Sequence, residues 1–147
     1  MTTREQVLDA LVTRLQTITT ANGYTLNIGL VKRSIRMHLL YENAYAAIQI
    51  EDGSTETIEY KTGGLADIYF TAKLSVWVRS RTSMSESMNA VDLAIKKAIA
   101  TDATLGGLVA HATIQGEVDK DLTGDDDIAK FIRPIRIFYE GQYTEGM

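Results

Sequence analysis

The sequence predicts an α+β fold: a mainly antiparallel β-sheet with two amphipathic helices packed on one face. Three observations carry this expectation. Ile68, Phe70, Ala72, Leu74, Val76 and Val78 alternate with Thr71, Lys73, Ser75 and Arg79, the period of a half-buried strand. Two other segments place apolar residues at steps of three and four, the stripe of an amphipathic helix. Runs of strands separate those helices rather than alternating with them one by one, which favours α+β over a parallel α/β architecture.

The first helix is expected from Thr3 to about Thr19. Thr3 and Gln6 have the spacing of a capping box, and Val7, Leu11, Leu15 and Ile18 form its buried stripe, broadened by Leu8 and Val12. Asn22-Gly23 is the expected left-handed stop. From Tyr24 to Asn43 the pattern is mixed: Leu26, Ile28 and Leu30 alternate as in a strand, whereas 31–41 fits strand or helix. Lys32, Arg33, Arg36 and His38 make this the most basic segment. Its two readings are a solvated edge and a contact surface for an acidic partner.

Ala44–Glu51 reads as a short strand ending at the turn dipeptide Asp52-Gly53, with Thr55–Tyr60 pairing back as a hairpin arm. Gly63-Gly64 then punctuates a connection into the long strand, so 52–65 is expected to be a polar excursion with little core. Ser83 and Glu86 form a second capping box. Met84, Met88, Val91, Ile95, Ala98 and Ile99 give the next helix its apolar face, with Lys96 and Lys97 in its last turn. Beyond it, Gly106-Gly107 permits positive φ while Leu105 and Leu108 pin the turn to the core. Strands follow at about Val109–Val118 and Ala129–Glu140. Pro134 lacks an N–H, so the last strand is expected at a sheet edge or interrupted there. Residues 141–147 are expected to be a disordered tail.

A length of 147 residues suits one domain, 1–147, and 45% hydrophobic with 23% charged residues suits a soluble globular chain. A formal net charge of -4 argues against nonspecific nucleic-acid binding. The absence of cysteine excludes disulfides and thiolate chemistry. No apolar run approaches the ~20 residues of a membrane span, and the first residues lack a signal-peptide core. The expectation is a soluble protein inside a cell, or a part of something assembled there.

Motifs of chemistry fail one by one. Asp119-Lys120-Asp121-Leu122-Thr123-Gly124-Asp125 has the oxygens and glycine of a calcium loop, but position 12 falls on Lys130, where a bidentate Glu is required. An acidic hairpin loop is the better reading, and no metal is assigned. His38 and His111 lack a second ligand at metal spacing, and no phosphate loop or serine elbow occurs. Carboxylates such as Glu51, Asp52 and Asp67 are more simply solvated than catalytic. No enzyme signature, catalytic residue or cofactor site remains. Tyr69 and Trp77, large aromatics on the polar face of the long strand, either stack under a helix or lie at a subunit interface.

The order of these elements resembles the tail terminator (tail completion) proteins of long-tailed bacteriophages. The resemblance rests on the N-terminal helix, on Ala46-Ala47-Ile48-Gln49-Ile50 running into Glu51-Asp52-Gly53, and on the long strand leading to the helix Met84–Ala100. It also rests on Asp102-Ala103-Thr104-Leu105-Gly106-Gly107-Leu108-Val109 before the final strand pair. It departs at Tyr45, where a proline is expected, and 30–43 match nothing in the pattern. The resemblance implies a ring of six subunits that caps the tail tube, stops its polymerisation and offers the head-joining surface. Partners would be further copies of the chain, the tail-tube protein and a head–tail connector, with DNA passing through unbound and no membrane involved. The location would be the virion neck, after assembly in the host cytoplasm.

Heterologous ring contacts require one patch to meet a different one on the neighbour. Lys32, Arg33, Arg36, Tyr69, Trp77, Arg79 and Pro134 are the candidate contact residues. Asp52, Gly53, Gly63 and Gly64 are candidate mobile positions that order against the tube. Asp125, Asp126 and Asp127 are candidate pore-facing residues, placed to repel phosphate or to meet the basic segment of a neighbour. Alternatives in the same class are another head–tail connector or a neck or tail-tube component. In a different class, a small α+β ligand-binding module or enzyme stays open.

Overall fold

The structure, a computed structural model, describes residues 3–28, 30–33, 46–79, 84–115, 119–121 and 128–142. Helix α1 (Arg4–Leu15) begins at the expected capping box. The Gln6 N–H donates to Thr3 Oγ1 at 3.2 Å, and the Thr3 N–H donates to Gln6 Oε1 at 2.9 Å. The helix is shorter than its apolar stripe. Thr17 and Ile18 continue it in tighter turns, with N–H bonds to Arg14 and Leu15 at 3.2 Å each, so Ile18 is buried from outside the helix. Gly23, at φ 89°, closes a separate 3₁₀ turn over Thr20–Asn22 rather than α1 itself.

The sheet contains β1 (Leu30–Lys32), β2 (Ala46–Tyr60), β3 (Leu65–Arg79), β4 (His111–Ile114), β5 (Asp119–Asp121) and β6 (Ile128–Gln142). Its order is β1-β2-β3-β6-β4, with β5 also on β6. Among the described residues, β1–β2 is the one parallel pair. Tyr24–Ile28 is not a strand. Its apolar alternation reflects Tyr24 and Ile28 tucking under the end of α1, where the Ile28 N–H meets the Ile18 carbonyl at 3.1 Å.

The region 46–65 corrects the expected hairpin at Asp52-Gly53. β2 runs unbroken through that dipeptide and pairs along its whole length with β3. The register passes from Asp52↔Ala72 to Glu56↔Phe70, so Gly53, Ser54 and Thr55 lie opposite Thr71 alone: a bulge instead of a turn. The actual reversal is at Gly63-Gly64, with φ of 80° and 79°, closed by the Lys61 N–H on the Leu65 carbonyl at 2.9 Å. Residues 52–65 therefore belong to the β2–β3 hairpin.

Helix α2 (Met84–Thr101) connects β3 to β4, which lies on the far side of β6. Val7, Leu8, Leu11 and Leu15 of α1, with Met88, Val91, Ile95, Ala98 and Ile99 of α2, share one buried cluster with Ile68, Phe70, Leu74, Val76 and Val78 of β3. Both helices thus cover one face. Lys96 and Lys97 lie one turn inside the helix end. Lys96 pairs with Asp92 at 3.1 Å, and Lys97 sits over the Tyr24 ring and donates to the Gly23 carbonyl at 3.0 Å. The α2 capping residue Ser83 lies outside the described residues.

The turn after α2 uses its whole sequence. Asp102 Oδ2 accepts the Gly106 N–H at 2.8 Å, Thr104 donates to Asp102 Oδ1 at 2.9 Å, and the Gly107 N–H reaches Thr104 Oγ1 at 3.1 Å. The Thr104 and Gly106 hydrogen bonds hold the Asp102 carboxyl below its ordinary pKa. Leu105 accepts a positive φ of 50° while burying its side chain, leaving 4% exposed. The Ala112 N–H bonds the Ala103 carbonyl at 2.7 Å, so this loop covers part of the outer edge of β4.

β6 is interior, which corrects the expectation for Pro134. The Pro134 carbonyl accepts from the Gln115 N–H at 3.0 Å, just past the end of β4. Backbone N–H and C=O of one strand residue point the same way, so the missing donor faces Gln115, whose carbonyl accepts from Arg133 Nη1 instead. The last strand also extends through Gln142, into the segment expected as a tail. The penultimate strand is split: β4 ends at Ile114, and β5 is a separate three-residue piece. The described parts of the segment 119–130, Asp119–Asp121 and Ile128–Lys130, are strand.

A charged pair lies within the helix-covered core. Arg133 on β6 and Asp92 on α2 meet through Nε–Oδ1 at 2.8 Å and Nη2–Oδ2 at 2.7 Å, while Arg133 Nη1 donates to the Gln115 carbonyl at 2.7 Å. Burial alone would raise the Asp92 pKa; the hydrogen bonds from Arg133 and Lys96 outweigh it and hold the carboxyl below its usual range. At the start of α1, Arg4 pairs with Glu56 of β2 and lies 5.0 Å from the Phe70 ring centroid.

Candidate interaction face

The sheet face opposite the helices gathers five of the seven candidate contact residues. Side chains directly opposite on neighbouring strands share a face. The register therefore lines up Leu30, Ala47, Trp77 and Lys130 in one row, and Lys32, Gln49, Ser75 and Ile132 in the next. Further along come Glu51, Lys73 and Pro134, then Thr71, Arg136 and Thr113, then Thr57, Tyr69, Phe138 and His111. A last row of Glu59, Asp67 and Glu140 crosses β2, β3 and β6.

Trp77 and Tyr69 do not stack under a helix. Trp77 packs with Leu30 and Ala47 in a small apolar cluster separate from the main core, and Lys130 Nζ sits 5.2 Å from its ring centroid. Tyr69 stacks on Phe138 with centroids 4.5 Å apart and an interplanar angle of 26°; Arg136 lies 5.5 Å from the Tyr69 ring and His111 5.5 Å from Phe138. The rings are half-buried, and cations lie against Trp77 and Tyr69, an arrangement that adds about 0.5–1 kcal/mol per exposed cation–aromatic pair. Three aromatic side chains thus bridge neighbouring β3, β6 and β4.

Charge is uneven along this face. Lys32, Lys73 and Arg136 are exposed around its middle, opposed by Glu51. At the far end, the three-carboxylate row would be unfavourable by cross-strand repulsion. Lys61 offsets this, reaching Glu140 at 2.8 Å and Asp67 at 2.9 Å. The hydrogen bond to Glu140, then that to Asp67, raises the Lys61 pKa above its ordinary value. A cleft of about 520 Å³ opens beside this trio, bounded by 107–110 and Phe138.

Of the sequence candidates, Lys32, Tyr69, Trp77, Arg79 and Pro134 fall on this one face. Arg33 does not join them: its guanidinium turns to α1 and pairs with Glu5 at 3.1 Å. Asp52 and Gly53 belong to the bulged strand, and Gly63 and Gly64 to the hairpin turn. Arg36, His38, Asp125, Asp126 and Asp127 lie outside the described residues. Phe138, Arg136, Lys130 and His111 were not among the contact candidates read from sequence. The first three share a parity in the predicted last strand, opposite to that of Phe131, Ile135 and Ile137; this is the signal that places them together.

Among the described residues, no group of three or more His, Asp or Glu is arranged to hold a metal ion, and no helix is long and apolar enough to cross a membrane. No protein-family model matches the sequence, and no curated protein matches it.

Proposed function

We propose that this chain is a structural assembly subunit, and specifically a tail terminator of a long-tailed bacteriophage. In this reading, copies close into a ring on the end of the tail tube. The ring stops tube growth, presents a surface to a head–tail connector and lets DNA pass through its centre without specific binding. The site of action is the neck of the virion, and the function is non-enzymatic.

The observation that carries the assembly reading is the open sheet face. Half-buried Trp77, Tyr69 and Phe138, ringed by Lys32, Lys73, Lys130 and Arg136, form a broad surface suited to another protein: aromatic and arginine anchors within a charged rim are enriched at subunit contacts. The assignment to a terminator rests on the resemblance in element order, together with the α+β arrangement and the compact Asp102–Val109 turn.

Gel filtration with light scattering, alone and with tail-tube protein of the same virion, tests the proposal. The expected result is a ring-shaped species near six times 16.2 kDa, and tubes that stop growing when the chain is added in small amounts. A strict monomer that leaves tube length unchanged overturns it.

A further inference from the structure

We draw no further inference here: the strongest candidate, the open apolar groove of about 310 Å³ between α1 and the α2–β4 turn, lined by Ala10, Thr13, Arg14, Thr17, Asp102 and Leu105, carries nothing because nothing in the structure shows what covers it.

Discussion

Replacing Asp92 with alanine is the most searching test of how this fold holds together. Arg133 is 3% exposed and Asp92 7%, and the two share a two-point contact across the α2–β6 interface. Without Asp92, the guanidinium keeps one charge-neutral acceptor, the Gln115 carbonyl. An uncompensated buried cation of this kind costs about 3–5 kcal/mol. For a chain of this length that corresponds to a fall in Tm of about 6–20 °C.

The converse change, Arg133→Met, should cost less, about 1–3 kcal/mol. Asp92 would retain Lys96 at 3.1 Å, and the Lys96 side chain is 48% exposed. Replacing both, as Asp92→Leu with Arg133→Met, should recover most of the loss, because apolar substitution of a whole buried pair is often neutral. Urea unfolding followed by circular dichroism measures all three variants.

The pH dependence provides an independent check. The folded Asp92 pKa is depressed, so its contribution is complete above the unfolded value, 3.8, and is lost as pH falls through the folded value. The wild-type and Asp92→Ala stability curves should therefore converge in acid. An Asp92→Ala loss below about 1 kcal/mol, or a double variant no better than Asp92→Ala, would refute the reasoning.

Phe131, fully buried and opposite Val76, should cost about 3–5 kcal/mol when cut to alanine, measured by the same urea titration. Gly63→Ala should cost about 1–2 kcal/mol: its φ is 80°, and open space around the new methyl leaves backbone strain as the cause. Combining Lys32→Glu with Arg136→Glu should leave stability within about 1 kcal/mol yet drive any oligomer towards monomer in light scattering. Unchanged mass would remove the open face from the assembly. Lys61→Met should loosen the ends of β2, β3 and β6 in hydrogen exchange, with a difference from wild type that shrinks at 1 M salt.

The elements with a local cause were legible in the sequence. The Thr3–Gln6 box, the α2 stripe and the alternation of β3 each depend on neighbours within a few residues, and each appears as expected. Asp52-Gly53 misled because the dipeptide meets a turn's backbone needs equally well inside a bulge; the partner strand decides between them. The position of β6 depends on non-local pairing, which a lone proline does not report. The acceptable site for Pro134 arises because the Gln115 carbonyl opposite it is taken by Arg133. The candidate face was half legible. Tyr69 and Trp77 stood out as aromatics at polar positions, but their neighbours Phe138, Lys130 and His111 come from segments about 40 to 70 residues away in the chain. Arg33, chosen for its charge, pairs with Glu5 of α1, a partner its own segment does not reveal.

The bulge in β2 also sets a rule for how this chain can change length. Three residues sit opposite one there, so the excess is two, and the strand leaves the bulge with the same inside–outside phase it had on entering. Ile58 faces the core and Glu59 the open face, just as Ile48 and Gln49 do before it. The pairing of Ile58 with Ile68 and of Glu59 with Asp67 holds those faces, not the number of residues in 53–55. Removing one residue there leaves two opposite Thr71, the count of an ordinary bulge. The segment can therefore change length by single residues, in related sequences too, without disturbing either face.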